Sequence, residues 1–159
     1  MGKVLSSFSH GFAGSIARAL DDVVISLANK SGAVIPFGTA VVMNPSKEGI
    51  IPFNPASHTA DQFVGITVRN PSKTPATYGS NAGSYAANEL ADVLVRGHIV
   101  VKMDTDSAKP SDPVSIRKSD SKFCVGTGDT VVTLNNVRVS GATDNYGLAE
   151  ILLTGRNVL

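Results

Sequence analysis

The sequence predicts an all-β domain, a sandwich or a barrel, and three observations carry that expectation. From Val23 onward, short β-branched runs recur and are separated by turn residues. The chain carries 15 glycines and 8 prolines, which suit a turn-rich β fold and would be awkward in helices. At 159 residues it is long enough to bury a core without metals or disulfides, and too short for a second full domain.

The first segment, residues 1–22, reads as an N-terminal extended arm set apart from a domain over 23–159. Ser and Gly are scattered through Ser6-Ser7-Phe8-Ser9-His10-Gly11-Phe12-Ala13-Gly14. Phe12, Ile16 and Leu20 recur every four residues, so a short amphipathic helix after Gly14 is an expectation, one too short to stand alone in water. Such a piece needs a surface to lie on. Together with Val4, Leu5 and Phe8, these apolar side chains are candidate interface anchors that would order on contact.

Strands are then expected over Val23–Leu27, Thr39–Met43, Gln62–Val68, Val93–Met103, Val114–Arg117, Lys122–Val125, Thr130–Leu134, Val137–Ser140 and Leu148–Leu153. Between them, Asn44-Pro45-Ser46, Asn54-Pro55-Ala56, Asn70-Pro71-Ser72 and Lys109-Pro110-Ser111-Asp112-Pro113 read as loops, because proline lacks a backbone donor and disfavours a helical residue before it. Asn135-Asn136 joins two β-prone runs. Asparagine tolerates the left-handed backbone of a two-residue turn, so a hairpin is expected, with Leu134 facing Val137 and Val132 facing Val139. In Val93–Met103, alternation places Val93, Val95, Ile99, Val101 and Met103 on one face, and Gly97 on that face suits a bulge or a bend. The stretch from Asn70 to Asn88 is rich in small polar residues and holds Tyr78 and Tyr85. It reads as a contact loop or as an ordinary surface loop, the tyrosines favouring contact because they supply area at low entropy cost.

Charge and chemistry exclude more than they suggest. The 14 basic and 13 acidic residues give a net charge of +1, gathered into no block of the kind that tracks nucleic acid or an anionic membrane, so neither partner is expected. Charged residues are only 17% of the chain, below the usual quarter, so part of the surface is expected to be used in contact. No apolar run makes a signal-peptide core or a membrane span, and a cytoplasmic product is the expectation. Cys124 in Phe123-Cys124-Val125 reads as a small buried hydrophobe rather than an activated thiolate. His10, His58 and His98 lack a supporting motif, and His98 is expected on the side away from the core. Asp104-Thr105-Asp106 with Asp112 hints at calcium, but Ala108 and Lys109 stand where an EF-hand would need an oxygen ligand and a glycine. Gly126-Thr127-Gly128-Asp129 precedes a strand and reads as a turn, not a phosphate cradle. No catalytic residue, cofactor or metal site is therefore expected, and the expectation is that the chain is not an enzyme. A carbohydrate-binding β-domain would call for exposed tryptophan, and the chain has none.

The order of segments resembles a known family. Gly32–Val42 (Gly-Ala-Val-Ile-Pro-Phe-Gly-Thr-Ala-Val-Val) is followed by Phe63–Val68, Val93–Val101, Pro113-Val114-Ser115-Ile116 and Gly147–Leu153. The sequence from about Gly11 to Leu153 is similar to the structural cement and head decoration proteins of tailed phages. That resemblance implies a small β-barrel of the β-tulip or SH3-like hairpin type. It further implies a place on the outer capsid surface of the virion, the major capsid protein as partner, and a homo-oligomer, trimer or dimer. Another virion β-protein, a tail or head-completion component, would share these features.

Overall fold

The computed structural model describes residues 9–73, 83–104 and 107–155, and of Ala19 and Leu20 the backbone only. The described chain is built from strands β1 (Ile16–Ala28), β2 (Ile35–Pro36), β3 (Ala40–Met43), β4 (Ile50–Pro52), β5 (Phe63–Thr67), β6 (Ser84–Tyr85), β7 (Leu90–Lys102), β8 (Pro113–Arg117), β9 (Phe123–Val125), β10 (Val131–Gly141) and β11 (Leu148–Leu153). Single 3-10 turns at Ala60–Gln62 and Pro71–Lys73 are the helical pieces among the described residues. The all-β expectation therefore holds.

One antiparallel sheet runs β4-β3-β5-β7-β11-β10-β8-β9, with β1 paired to β7 off that path, and β2 and β6 make a separate two-stranded ribbon. The sheet curls back on itself twice. Met103 bridges Phe123, joining the end of β7 to β9, and Asp104 N donates to Phe123 O at 2.7 Å. At the other end Asn29 bridges Ile50, joining the end of β1 to β4. β7 is the strand common to both curls, because its length lets β5 and β11 share one edge while β1 follows the other.

Two hydrophobic clusters fill the curls. Phe63, Ile66, Leu94, Ile99, Val101, Ile116, Leu134, Ile151 and Leu153 belong to the larger. Ile35, Phe37, Val41, Ile50, Val64, Tyr85, Ala91, Val93 and Val95 form the smaller. Every residue of β5 is buried: Phe63 and Ile66 enter the larger cluster and Val64 the smaller, the register against β3 shifting at Val64. At Gly65 an added Cβ would run into Leu94 O, so only glycine lets β5 lie this close to β7.

Four expectations are corrected. The helix after Gly14 is instead the start of β1: Ile16 lies opposite Ile99 and Arg18 opposite His98, because an open edge of β7 gives this apolar-polar stretch ladder bonds that an isolated single-turn helix lacks. β1 thus begins inside the span read as an arm.

Asn135-Asn136 makes no hairpin. Both residues lie within the continuous strand β10, and neither has positive φ. β10 pairs with β8 at Val131–Thr133 and with β11 at Val137–Val139, and its register with β8 shifts between Thr133 and Arg138. Partners on both edges hold the backbone extended, and the asparagines sit at the irregularity.

Val93 and Val95 do not share a core with Ile99, Val101 and Met103: the first two enter the smaller cluster and the other three the larger. Gly97, at φ 120, is where β7 changes which core its odd residues face. The register between β1 and β7 is irregular around Gly97: β1 carries extra residues between Arg18 and Val23, and β7 carries one, Val95, between the partners of Val23 and Val24.

Tyr85, expected at a contact surface, is 1% exposed. Its ring meets Phe37 edge-on at 5.3 Å, and its hydroxyl donates to Val68 O at 2.7 Å.

Candidate interface surfaces

The segment ahead of β1 is strapped across the body of the domain. His10 N donates to Asp144 Oδ2 at 2.9 Å, and His10 Nε2 lies 2.7 Å from Ala142 O, the distance of a donated hydrogen bond. Gly14 N donates to Val100 O at 2.8 Å, Val100 N to Ser15 O at 2.9 Å, and Arg69 N to Gly14 O at 2.8 Å. These bonds extend the β1 side of the ladder past Ile16 and pin the strap at three places. Phe12 is half-buried beneath the Arg69 guanidinium, 4.6 Å from its ring centre.

Asp144 organises the far anchor. Burial pushes its carboxyl up, but backbone N–H donors from His10, Leu148 and Tyr146 outweigh this and hold it below the usual carboxylate range. Those donors converge because Asp144-Asn145-Tyr146-Gly147 is a tight turn whose carboxylate accepts from Tyr146 N at 2.8 Å and Leu148 N at 2.9 Å.

The strap separates two grooves. One, of 580 Å³, is walled by Phe37, Phe53, Met103 and Phe123, with Lys102 and Lys122 among its lining residues. The other, of 510 Å³, lies between Phe12, Tyr146 and Leu148. Lys122 stands beside an ion-pair network in which Arg117 bonds Asp104 and Asp120. The hydrogen bond from Arg117 is the main reason the Asp104 carboxyl lies below its ordinary value. On the β11 side, Arg18 Nε pairs with Glu150 at 2.8 Å, and Ser140 Oγ donates to the same carboxylate at 3.0 Å. That satisfies a largely buried acid.

The residues singled out from sequence fall in different places. Val4, Leu5, Phe8 and Tyr78 lie outside the described residues, as does the Leu20 side chain. Ile16 is 38% exposed on β1. Phe12 is a groove wall, and Tyr85 is core. Exposed apolar residues that sequence reasoning did not single out are Val23, Val24, Val34, Leu90 and Tyr146. Tyr146 had a signal, an aromatic side chain inside an Asp-Asn-x-Gly turn. Leu90 had none, because only the pairing of Ala28 with Leu90 shows it at the rim.

The groups weighed for chemistry are occupied structurally. Cys124 is buried, and desolvation pushes its thiol up, away from a nucleophilic thiolate. His58 Nδ1 accepts from Asn54 N at 2.9 Å, its ring packs on Phe53, and burial lowers its pKa. Asp112 accepts from Lys109 N at 2.9 Å. Among the described residues no group of three or more His, Cys, Asp or Glu is placed to hold a metal ion.

Comparison with known proteins agrees with this architecture. No curated protein matches the chain. A solved structure titled "The capsid of Myoviridae Phage XM1" contains a chain of similar fold, with a TM-score of 0.73 and 19% identity over 95% of this chain and 94% of that one. The family model for the structural cement protein (E217 gp24/Pam3 gp6) matches residues 3–154, nearly the whole sequence and both curls of the sheet. The chain therefore belongs to the structural cement protein family of phages.

Proposed function

We propose that this chain binds the outer surface of a phage head and ties neighbouring major capsid protein subunits together, without chemistry of its own. The observation that carries the reading is the family match over residues 3–154, which takes in the strap, both cores and the last strand. A cement protein needs many modest contacts, which gain avidity when one copy engages several subunits. Val34, Leu90 and Tyr146 are each more than 60% exposed, and the two grooves beside the strap offer apolar floors. The arm of this reading is residues 1–8: Val4, Leu5 and Phe8 would each contribute about 1.5–3 kcal/mol on burial, before ordering costs. Tyr78 is the matching candidate in the 70–88 segment. The protein acts as a homo-oligomer.

Binding to purified undecorated capsids tests this. Full-length protein saturates them and raises the temperature at which they rupture. Deleting residues 1–8 keeps the bonds of His10, Gly14 and Ser15 that fasten the strap, so the fold is expected to survive while attachment weakens by orders of magnitude. Failure of the full-length chain to bind capsids would refute the reading.

A further inference from the structure

β1 is unlike the other described strands, because none of its described side chains is buried. Ile16, Val23 and Val24 are 38%, 41% and 40% exposed. Across Val24–Ser26 its one strand partner among the described residues is β7. Asp92 O accepts from Val68 N at 2.7 Å, on the β5 side of β7. Ser26, opposite Asp92, therefore exchanges no ladder bonds with it and turns its own N–H and C=O away from β7. Val24, two residues back in the same unbroken register, does likewise. Beyond Ser26 the edge is covered: Ala28 O lies against Gly49, and Lys30 N donates to Ile50 O at 2.8 Å. Among the described residues nothing pairs with the outward groups of Val24 and Ser26.

This edge also lacks protection. Open strand edges are commonly guarded by proline, lysine or an inward charge, and Val23-Val24-Ile25-Ser26-Leu27-Ala28 has none of these. We propose that the outer edge of β1 at Val24–Ser26 pairs, antiparallel, with the same edge of a second copy of this chain.

The hydrogen-bonding pattern of the free stretch selects that occupant, because it is self-complementary. With a two-fold axis at Ile25, Val24 of one copy lies opposite Ser26 of the other, and the two N–H and two C=O groups left free on each copy satisfy one another. The free stretch is three residues long, bounded by the Asp21 and Asp22 carboxylates held on β7 and by Ala28 against Gly49, so a symmetric pair of short edges fits it. The pairing covers Val23 and Val24 and makes one sheet of two. It needs no capsid, so it stands or falls separately from the cement reading.

The test is made in solution with full-length protein. Directly opposed residues of a hydrogen-bonded antiparallel pair lie about 5.5 Å apart at Cα, within the span a disulfide bridges. Val24→Cys and Ser26→Cys variants, mixed and mildly oxidised, are expected to form a linked dimer. Buried Cys124 stays out of the reaction. A link formed by Val24→Cys alone would show the same edge paired one register away, and also supports the proposal. Ser26→Pro removes the outward N–H and sets a ring on the edge; with an unchanged circular dichroism spectrum, its sedimentation mass should be half that of the intact chain. The proposal is overturned if neither cysteine variant links and the intact chain sediments as a monomer, if Ser26→Pro folds and keeps the full oligomeric mass, or if these cysteines link to capsid protein on the particle instead of to each other. Should Ser26→Pro not fold, the cysteine pair decides alone.

Discussion

The carboxylate of Asp22 occupies the space that a side chain at position 97 would need: a Cβ built on Gly97 overlaps Asp22 Oδ1. Asp22 Oδ1 accepts from His98 N at 3.3 Å, while neighbouring Asp21 holds Arg96 at 2.7 Å. The two acids of the β1 bulge thus grip β7 on either side of the residue where β7 trades one core for the other. Gly97→Ala combines that overlap with a φ of 120, which L side chains avoid, and should cost about 2–4 kcal/mol. Gly126→Ala, at a similar φ but in open space, should cost clearly less. Urea denaturation of the pair checks this, and equal losses would mean that the Asp22 contact is immaterial.

Asn29 joins three chain segments. Its Nδ2 donates to Ala33 O at 2.7 Å, Tyr85 O at 3.1 Å and Ala86 O at 3.0 Å, and its Oδ1 accepts from Ser31 N at 3.0 Å. With Asn29 fully buried, Asn29→Ala strands several polar groups and should destabilise by about 2–4 kcal/mol, whereas Ser31→Ala should cost no more than about 1 kcal/mol. Thermal melts of both variants decide whether Asn29 is the hub.

Tyr85→Phe keeps the edge-on packing with Phe37 and loses only the hydroxyl bond to buried Val68 O. An expected loss of about 1–3 kcal/mol follows from leaving that carbonyl unpaired. If capsid binding falls with no change in stability, Tyr85 is acting at a surface, and its place in the core is refuted.

The Asp144 carboxyl has its folded pKa held below the unfolded value near 3.9. A depressed folded pKa means that its stabilisation is fully present above the unfolded value and is lost as pH falls through the folded one. Asp144→Asn should therefore melt lower than the native chain at neutral pH, and the gap should close below about pH 4. A pH-independent gap would assign the loss to packing rather than charge.

Much of the sheet was legible in the sequence. β3, β5, β7, β8, β9 and β11 fall within or across the β-branched runs expected for them, because alternate burial on both faces of a strand demands such residues. β2, β4 and β6, two or three residues each, carry no such run and exist through their partners.

Among the candidate interface residues, sequence alone recognised Ile16 and Phe12 as apolar positions near the N-terminus, but it did not distinguish a groove wall from an open edge. Tyr85 was misplaced for the same reason. Tyrosine suits both a wet contact and a core with a waiting carbonyl, and here Val68 O supplies the second.

By itself the sequence determined an all-β domain with turns at 44–46, 54–56 and 70–72, a buried cysteine and no clustered charge, since these follow from local propensity and composition. Tertiary structure alone decided that Asn135-Asn136 runs straight, that β7 serves two cores and that β1, across Val24–Ser26, has β7 as its one strand partner among the described residues. Local residues permit a turn, a bulge or a strand at those points at nearly equal cost. The choice is made by ladder bonds to partners distant in sequence: β8 and β11 on either side of β10, and β7 beside β1.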